Sequence, residues 1–271
     1  MQKYSVLMAV YKKDNPKYFA IALDSMIHQT VPPDEIVIVK DGPITENLQA
    51  VIDVRRGETG EIHEVSLEKN MGLGIALQHG IVACRNELIA RMDADDYSMP
   101  ERCEKQLNVF VQNPNLDIVG CHAIEFVGTM DNVVGMRKVP LDNEGIYKFA
   151  KFRDPFNHPS VMYRKSTVLK CGNYRDCPGD EDTDLWIRML QHKAGCMNID
   201  NPVFYFRFDE KTFRRRKSWV TTKSMMTLRY RAWKDGFNSL YEFLLVAGGQ
   251  FVIYLLPEWF EKNFYKYVLR S

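Results

Sequence analysis

Several short segments group residues that could do chemistry together. Asp93-Ala94-Asp95-Asp96 places three carboxylates within one tetrapeptide. Like charges this close repel each other unless a cation lies among them. Hard oxygen ligands suit Mg²⁺ or Mn²⁺, which take few carboxylates and complete their shells with substrate phosphates. A D-x-D also has an ordinary reading, as a solvated acidic turn in which Asp96 caps the following helix. Asp41, in EIVIVKDGP, reads as a turn former before Gly42-Pro43 or as an acceptor for a nucleobase N–H. In Asn70-Met71-Gly72-Leu73-Gly74 the glycines allow close backbone approach, and the helix that follows offers an N-terminus suited to phosphate. Gly179-Asp180-Glu181-Asp182-Thr183-Asp184 opens another helix. Its acids either complement the helix dipole or include a general base aimed into a cleft. His158 stands between Pro155 and Pro159, a rigid setting for a structural or a catalytic histidine. Arg214-Arg215-Arg216-Lys217 is a solvated charge run or a contact for phosphate or anionic lipid.

The elements that must hold these residues follow from periodicity. Short apolar runs predict buried strands over Tyr4–Tyr11, Glu35–Val39, Ile62–Leu67 and Glu87–Met92. Helical spacing falls between them, over Phe19–Gln29, Asn47–Arg56 and Gly74–Cys84. This alternation predicts a parallel α/β sheet, whose functional residues sit after the carboxyl ends of strands. Tyr11, Asp41 and Asp93 all stand there. Further on, a helix is predicted over Glu101–Gln112 and one strand over Leu116–Val127. A turn at Gly128–Asn132 leads to a strand reaching Val139. Helix Gly145–Phe152, strand Ser160–Arg164 and helices Ser166–Cys171 and Glu181–His192 complete the body, with Leu185, Trp186, Met189 and Leu190 facing inward.

The 271 residues are 45% apolar and 26% charged, with a formal charge of +1, which gives no reason to expect a nucleic-acid partner. The charge is unevenly spread. Residues 205–271 hold 13 Lys/Arg against 6 Asp/Glu, whereas the preceding residues hold 23 against 29. A basic, aromatic tail on an acidic body suits an anionic surface. Ser218–Asp235 reads as a helix. Leu240–Leu256 is nearly all apolar but shorter than the ~20 residues a membrane span needs, and Glu242, Gly248-Gly249 and Gln250 interrupt it. An interfacial helix fits better, with packing on the body as the other reading. The six cysteines show no C-x-x-C spacing, and the opening Met-Gln-Lys-Tyr runs into a strand without a signal peptide.

Taken in order, SVLMAVYKKDNPKYFAIALDSMIHQT, EIVIVKDGP, NMGLGIALQHGI, IARMDADD, PFNHPSVMYRKS and EDTDLWIRM resemble the family 2 glycosyltransferases of the GT-A fold. FRRRK and LPEWFEKNFYKYVLR are similar to the tails of bacterial capsule, exopolysaccharide and O-antigen transferases of the amylovoran-biosynthesis type. The resemblance implies an α/β, Rossmann-like nucleotide-diphospho-sugar transferase: a central, mostly parallel sheet flanked by helices, plus a helical C-terminal tail. Residues 1–217 would form the catalytic domain, with a nucleotide-sugar half to about 100 and an acceptor half from 101. Residues 218–271 would be the extension. Ala9, Val10 and Tyr11 would line the nucleobase pocket, and Asp41 would bind the uracil. Lys69, Asn70 and Gly72 would border the nucleoside, and Arg91, Asp93 and Ala94 would meet the donor. Asp95, with Asp93, would hold Mn²⁺ or Mg²⁺, and Asp182 would be the base. Glu181, His158, Trp186, Arg214 and Arg215 would lie at the acceptor or diphosphate.

One departure stands out. Relatives often place a metal-binding histidine after the final strand, where YFRFDEKTF offers Asp209 instead. The implied activity is inverting transfer of a hexose from a UDP-sugar to a hydroxyl of a saccharide on a polyprenyl diphosphate. The implied location is the cytoplasmic face of the inner membrane. Two alternatives compete. A nucleotidyltransferase would need a G-G-x-G-T-R-like loop where Ala9-Val10-Tyr11-Lys12 stands, and a catalytically silent sugar-nucleotide-binding or membrane scaffold would not need Asp41, Asp93, Asp95 and Asp182 together.

Overall fold

A computed structural model of the chain describes residues 2–57, 61–208 and 218–255. Strand β1 (Tyr4–Val10) sits in the middle because both of its faces are covered. Tyr4, Val6, Met8 and Val10 enter one apolar layer and Leu7 the other, following the two-residue strand period. Its buried polar residue, Ser5, donates to Glu35 Oε1 at 2.5 Å. Strands β2 (Glu35–Lys40) and β3 (Ile62–Ser66) extend the sheet in parallel on one side. Strand β4 (Leu88–Met92) pairs in parallel on the other. Beyond it lie β9 (Met162–Arg164), antiparallel to both neighbours, then β6 (Leu116–Cys121) and β10 (Gly195–Ile199). The order is β10-β6-β9-β4-β1-β2-β3.

Helices α1 (Pro16–Ile27), α2 (Glu46–Arg56) and α4 (Arg102–Gln112) cover one face of this sheet. Helices α3 (Leu73–Ala83), α5 (Asn143–Ala150), α6 (Lys165–Lys170) and α7 (Glu181–Gln191) cover the other. The chain moves outward from β1 to β2 and returns to β4 on the opposite side. That reversal opens a crevice at the strands' carboxyl ends, where Tyr11, Asp41 and Asp93 emerge.

The predicted single strand Leu116–Val127 breaks at His122. Its second half, β7 (Ala123–Phe126), belongs to a separate sheet ordered β5 (Tyr97–Ser98), β11 (Phe204–Arg207), β7, β8 (Val133–Arg137). Both halves are largely buried, so the apolar pattern runs on through the break. What marks the break is a tertiary bond, from Val139 N–H to His122 Nδ1 at 3.2 Å. The short strand β5 escaped the sequence reading, and β11 entered it only through the resemblance, as the final strand before Asp209.

Two helices end the described chain, α8 (Trp219–Lys234) and α9 (Leu240–Leu255). Ser218 caps α8 by accepting from Thr221 N–H at 3.1 Å. Leu228 and Ala232 of α8 pack on Ile187 of α7. Helix α9 is tied down through Glu242, which pairs with Lys151 at 3.0 Å. Ala247 is its only buried residue. Among the described residues no helix is long and apolar enough to cross a membrane. Asp209, Arg214, Arg215 and the segment from 256 lie outside the described residues.

Candidate active site

The acidic loop leaves β4 at Met92, and Asp93, Asp95 and Asp96 each bring a carboxylate oxygen within 4.8 Å of the others. Asp93 is held by Arg91 at 2.5 Å. Arg91 is 1% exposed, and its Nε and Nη1 have no hydrogen-bond partner. Asp96 does not cap the next helix as expected, because α4 begins only at Arg102, with Glu101 in the cap position. Instead Asp96 is buried, with Oδ1 accepting from Arg207 N–H at 2.7 Å and Oδ2 unpartnered. Burial, followed by the charges of Asp95 and Asp93, pushes its carboxyl well above the usual range.

The second sheet braces this loop. Arg207 of β11 donates from Nε to Asp95 O at 2.7 Å and from Nη1 to Gly128 O at 2.6 Å. Its guanidinium lies over the Tyr18 ring at 3.8 Å. From below, Arg102 Nη2 donates to Arg91 O at 2.7 Å. A fourth carboxylate comes from the loop after β1. Asp14 accepts from Tyr11 N–H at 2.9 Å, and its carboxyl is pushed up to about 7 by burial and then by Asp95 and Asp93. Clustered carboxylates with a buried, unpartnered oxygen make a donor set that fits a hard divalent cation.

Asp41 engages the Asn70–Gly72 loop with both oxygens. Oδ1 accepts from Met71 N–H at 2.6 Å, while Oδ2 accepts from Gly72 N–H at 3.0 Å and from Asn70 Nδ2 at 2.8 Å. Gly42 makes the approach possible, since a Cβ there would lie 2.6 Å from Asn70 N, and its φ is +82°. Gly74 does the same deeper in the site, because a Cβ would meet Arg175 O at 2.3 Å and Glu181 Cβ at 3.2 Å. The N-termini of α3 and α7 therefore converge.

Asp182 sits at that convergence with 20% of its side chain exposed. Its Oδ1 accepts from Thr183 N–H at 2.8 Å, and its Oδ2 lies 3.8 Å from His158 Nδ1. Burial, then Asp154 and Glu181, pushes its carboxyl well above the usual range. His158 lies in the 3-10 turn His158–Ser160, with Nε2 2.9 Å from Tyr174 Oη. Burial and then the Arg91 charge hold His158 well below its ordinary value, so it is neutral.

Not every expected residue reaches the crevice. The Val10 side chain is in the core at 1% exposure, so only its backbone is available there. Ala94 is also buried. Trp186, expected at the acceptor, is 1% exposed and lies edge-on to His158, with ring centroids 5.8 Å apart, because that face of α7 turns into the core. Glu181 is nearly buried and accepts from Gly179 N–H at 3.0 Å. Tyr11, Lys69 and Asn70 are exposed at the rim, and Ala9 and Gly72 are half-buried. Sequence reasoning missed Asp14, Arg102, Asp154, Tyr174 and Arg207. Only Arg207 left a trace, as a lone charge within FYFRF.

This architecture, with acids gathered at the ends of β1, β2 and β4, is the GT-A fold. The fold is shared with S. aureus TarS 1-349 (TM-score 0.68, 15% identity, 99% of this chain and 75% of that one). It is also shared with the mannosyltransferase PcManGT from Pyrobaculum calidifontis, solved in complex with GDP-Man and Mn2+ (TM-score 0.68, 14% identity, 92% and 68%). Residues 5–172 match the family model described as Glycosyl transferase family 2. The chain is 35% identical over 268 residues to the Escherichia coli UDP-Gal:alpha-D-GlcNAc-diphosphoundecaprenol beta-1,3-galactosyltransferase, covering 99% of this chain and 97% of that one. It is 36% identical over 225 residues to the amylovoran biosynthesis glycosyltransferase AmsE of Erwinia amylovora, covering 83% and 84%. The chain belongs to glycosyl transferase family 2 and is a glycosyltransferase.

Proposed function

We propose that the chain moves a hexose, with inversion, from a UDP-sugar to a hydroxyl of a saccharide carried on a polyprenyl diphosphate, in cell-surface polysaccharide synthesis. One observation supports this reading: the buried Arg91 guanidinium stands between the acid loop and the histidine that faces the proposed base. Asp93 pairs with Arg91, the Arg91 charge acts on His158, and His158 faces Asp182. The identity to the E. coli galactosyltransferase, along nearly the whole of both chains, supports the donor and acceptor classes.

Asp182 takes the proton of the acceptor hydroxyl as that oxygen attacks the anomeric carbon. The bond from that carbon to the diphosphate breaks on the opposite face, UDP leaves, and the configuration inverts. Asp93 and Asp95, with Asp96 behind them, are the residues to hold Mn²⁺ or Mg²⁺, which when bound neutralises charge on the diphosphate. Asp41, Tyr11 and the Lys69–Gly72 loop border the nucleoside, and residues 101–217 serve the acceptor. The exposed apolar face of α9 rests on the anionic inner face of the cytoplasmic membrane, where the lipid-linked acceptor lies. The test is transfer from UDP-Glc, UDP-Gal and UDP-GlcNAc to a sugar-diphosphate-lipid analogue with Mn²⁺ or Mg²⁺. Asp182→Asn is expected to abolish transfer and keep UDP binding. Turnover at the wild-type rate in that variant rejects the assignment. UDP binding without turnover in the wild type favours a silent scaffold.

A further inference from the structure

The start of α7 gathers several carboxylates in one place. Asp180, Glu181 and Asp182 are consecutive, and Asp154 reaches them from the loop after α5 by accepting from Thr183 Oγ1. Asp180 is 3% exposed with Oδ2 unpartnered, and burial followed by Asp154 and Glu181 pushes its carboxyl up to about 7. Among the described residues, His158, held neutral, and Tyr174 also face Asp182.

A cation arrives from outside the catalytic sheet. Arg229 of α8 is 2% exposed, donates from Nη1 to Ala150 O at 2.7 Å, and leaves Nε unpartnered. Its charge is felt by Asp154 and Asp180. An arginine is buried at a large desolvation cost unless charges of opposite sign surround it. Nearby contacts fix the helix in place: Thr222 is fully buried, and Thr221 lies where a Cβ on Gly179 would come within 3.3 Å.

We propose that α8 is a working part of the active site, with Arg229 as a positioning residue that balances the Asp154–Asp180 pair beside Asp182 and keeps Asp182 placed and ionised for proton transfer. This rests on Asp182 being the base. The C-terminal extension then has two roles: α8 completes the charge balance of the site, while α9 presents an apolar face outward. Removing the extension to test membrane contact would also damage catalysis.

The experiment is the pH profile of kcat/KM in the full chain. In Arg229→Met the acid limb should move up by about one pH unit, a roughly tenfold loss of rate below it, with a smaller change on the plateau. Arg229→Lys should keep the wild-type limb. The double variant Asp180→Asn/Arg229→Met removes one charge of each sign and should return the limb toward wild type, which also covers failure of Arg229→Met to fold. An Arg229→Met profile that falls uniformly at all pH values, or that stays wild-type while only thermal stability drops, overturns the proposal. So does a double variant with a limb as high as the single one. Asp182→Asn, run alongside, separates the two readings. If it is inactive and the Arg229 profile is unmoved, only the present proposal falls. If it is active, the base assignment itself falls and takes this proposal with it.

Discussion

Replacing Asp41 with asparagine separates two roles for that carboxylate, nucleobase contact and loop anchor. Asp41 is 6% exposed and accepts three hydrogen bonds from the Asn70–Gly72 loop, at 2.6, 3.0 and 2.8 Å. Asparagine keeps the shape but turns one acceptor oxygen into an NH₂ group. Whichever way the amide is placed, that group faces at least one N–H donor. A hydrogen bond to a charged acceptor contributes about 1.5–3 kcal/mol, and a stranded buried donor costs about 1–3 kcal/mol more. The expected loss is thus about 2.5–6 kcal/mol for the ligand-free protein. At about 2–4 °C per kcal/mol for a domain of this size, Tm should fall by about 5–24 °C. Thermal melting without ligand, then UDP titration by calorimetry, reads both roles. If Asp41 served only the nucleobase, the ligand-free Tm would not move while UDP affinity dropped. A ligand-free Tm within about 1 °C of wild type therefore refutes the loop-anchor reasoning.

Gly74→Ala should lower both stability, by about 1–3 kcal/mol, and kcat, because the new Cβ meets the Arg175 carbonyl and pushes that loop against the start of α7. Wild-type melting and turnover would count against the convergence of α3 and α7. Asp14 and Asp180 have folded-state carboxyls near 7, so between about pH 4 and 7 the folded chain binds more protons than the unfolded one. Their contribution to stability is present at the acid side of that window and is lost as pH rises through 7. Melting in EDTA should give a higher Tm at pH 6 than at pH 8, and the reverse order contradicts the burial of these acids. Mn²⁺ at pH 8 should raise Tm in the wild type and do so less in Asp95→Ala; an equal rise in both removes Asp95 from the metal site. Leu244→Glu/Leu245→Glu, on the exposed face of α9, should weaken flotation with anionic vesicles without changing transfer to a water-soluble acceptor. Undiminished flotation rejects that face as the contact.

Much of the fold could be read locally. The runs YSVLMAV, EIVIV and LIARM are too apolar and β-branched to be anything but buried strands, and two of the helices between them carry their own caps, Asn15 with Pro16 for α1 and Thr45 for α2. The boundaries shifted by a few residues because capping residues, not apolar spacing, start a helix. The second sheet was hidden. Its strands are two to five residues long, and one of them continues a buried run without any change in pattern. A strand that short is defined by its partner, and the partner is more than a hundred residues away in the case of β5 and β11.

For the site, the sequence by itself determined which chemistry was on offer. Asp41, Asp93 and Asp95 stood after strand ends, and Asp182 opened a helix, so their placement followed from local pattern and the geometry of parallel sheets. What only tertiary structure decided was how each charge is compensated. Asp41 is spent largely on holding a loop. Asp96 is a buried member of the acid cluster rather than a cap. Trp186 lies under His158 rather than at the surface. Asp14, Arg207 and Arg229 come to the site from distant positions. Local pattern reports which way a residue faces along its own element, whereas a pKa, an ion pair or a desolvated carboxylate depends on charges brought within a few ångströms by the fold.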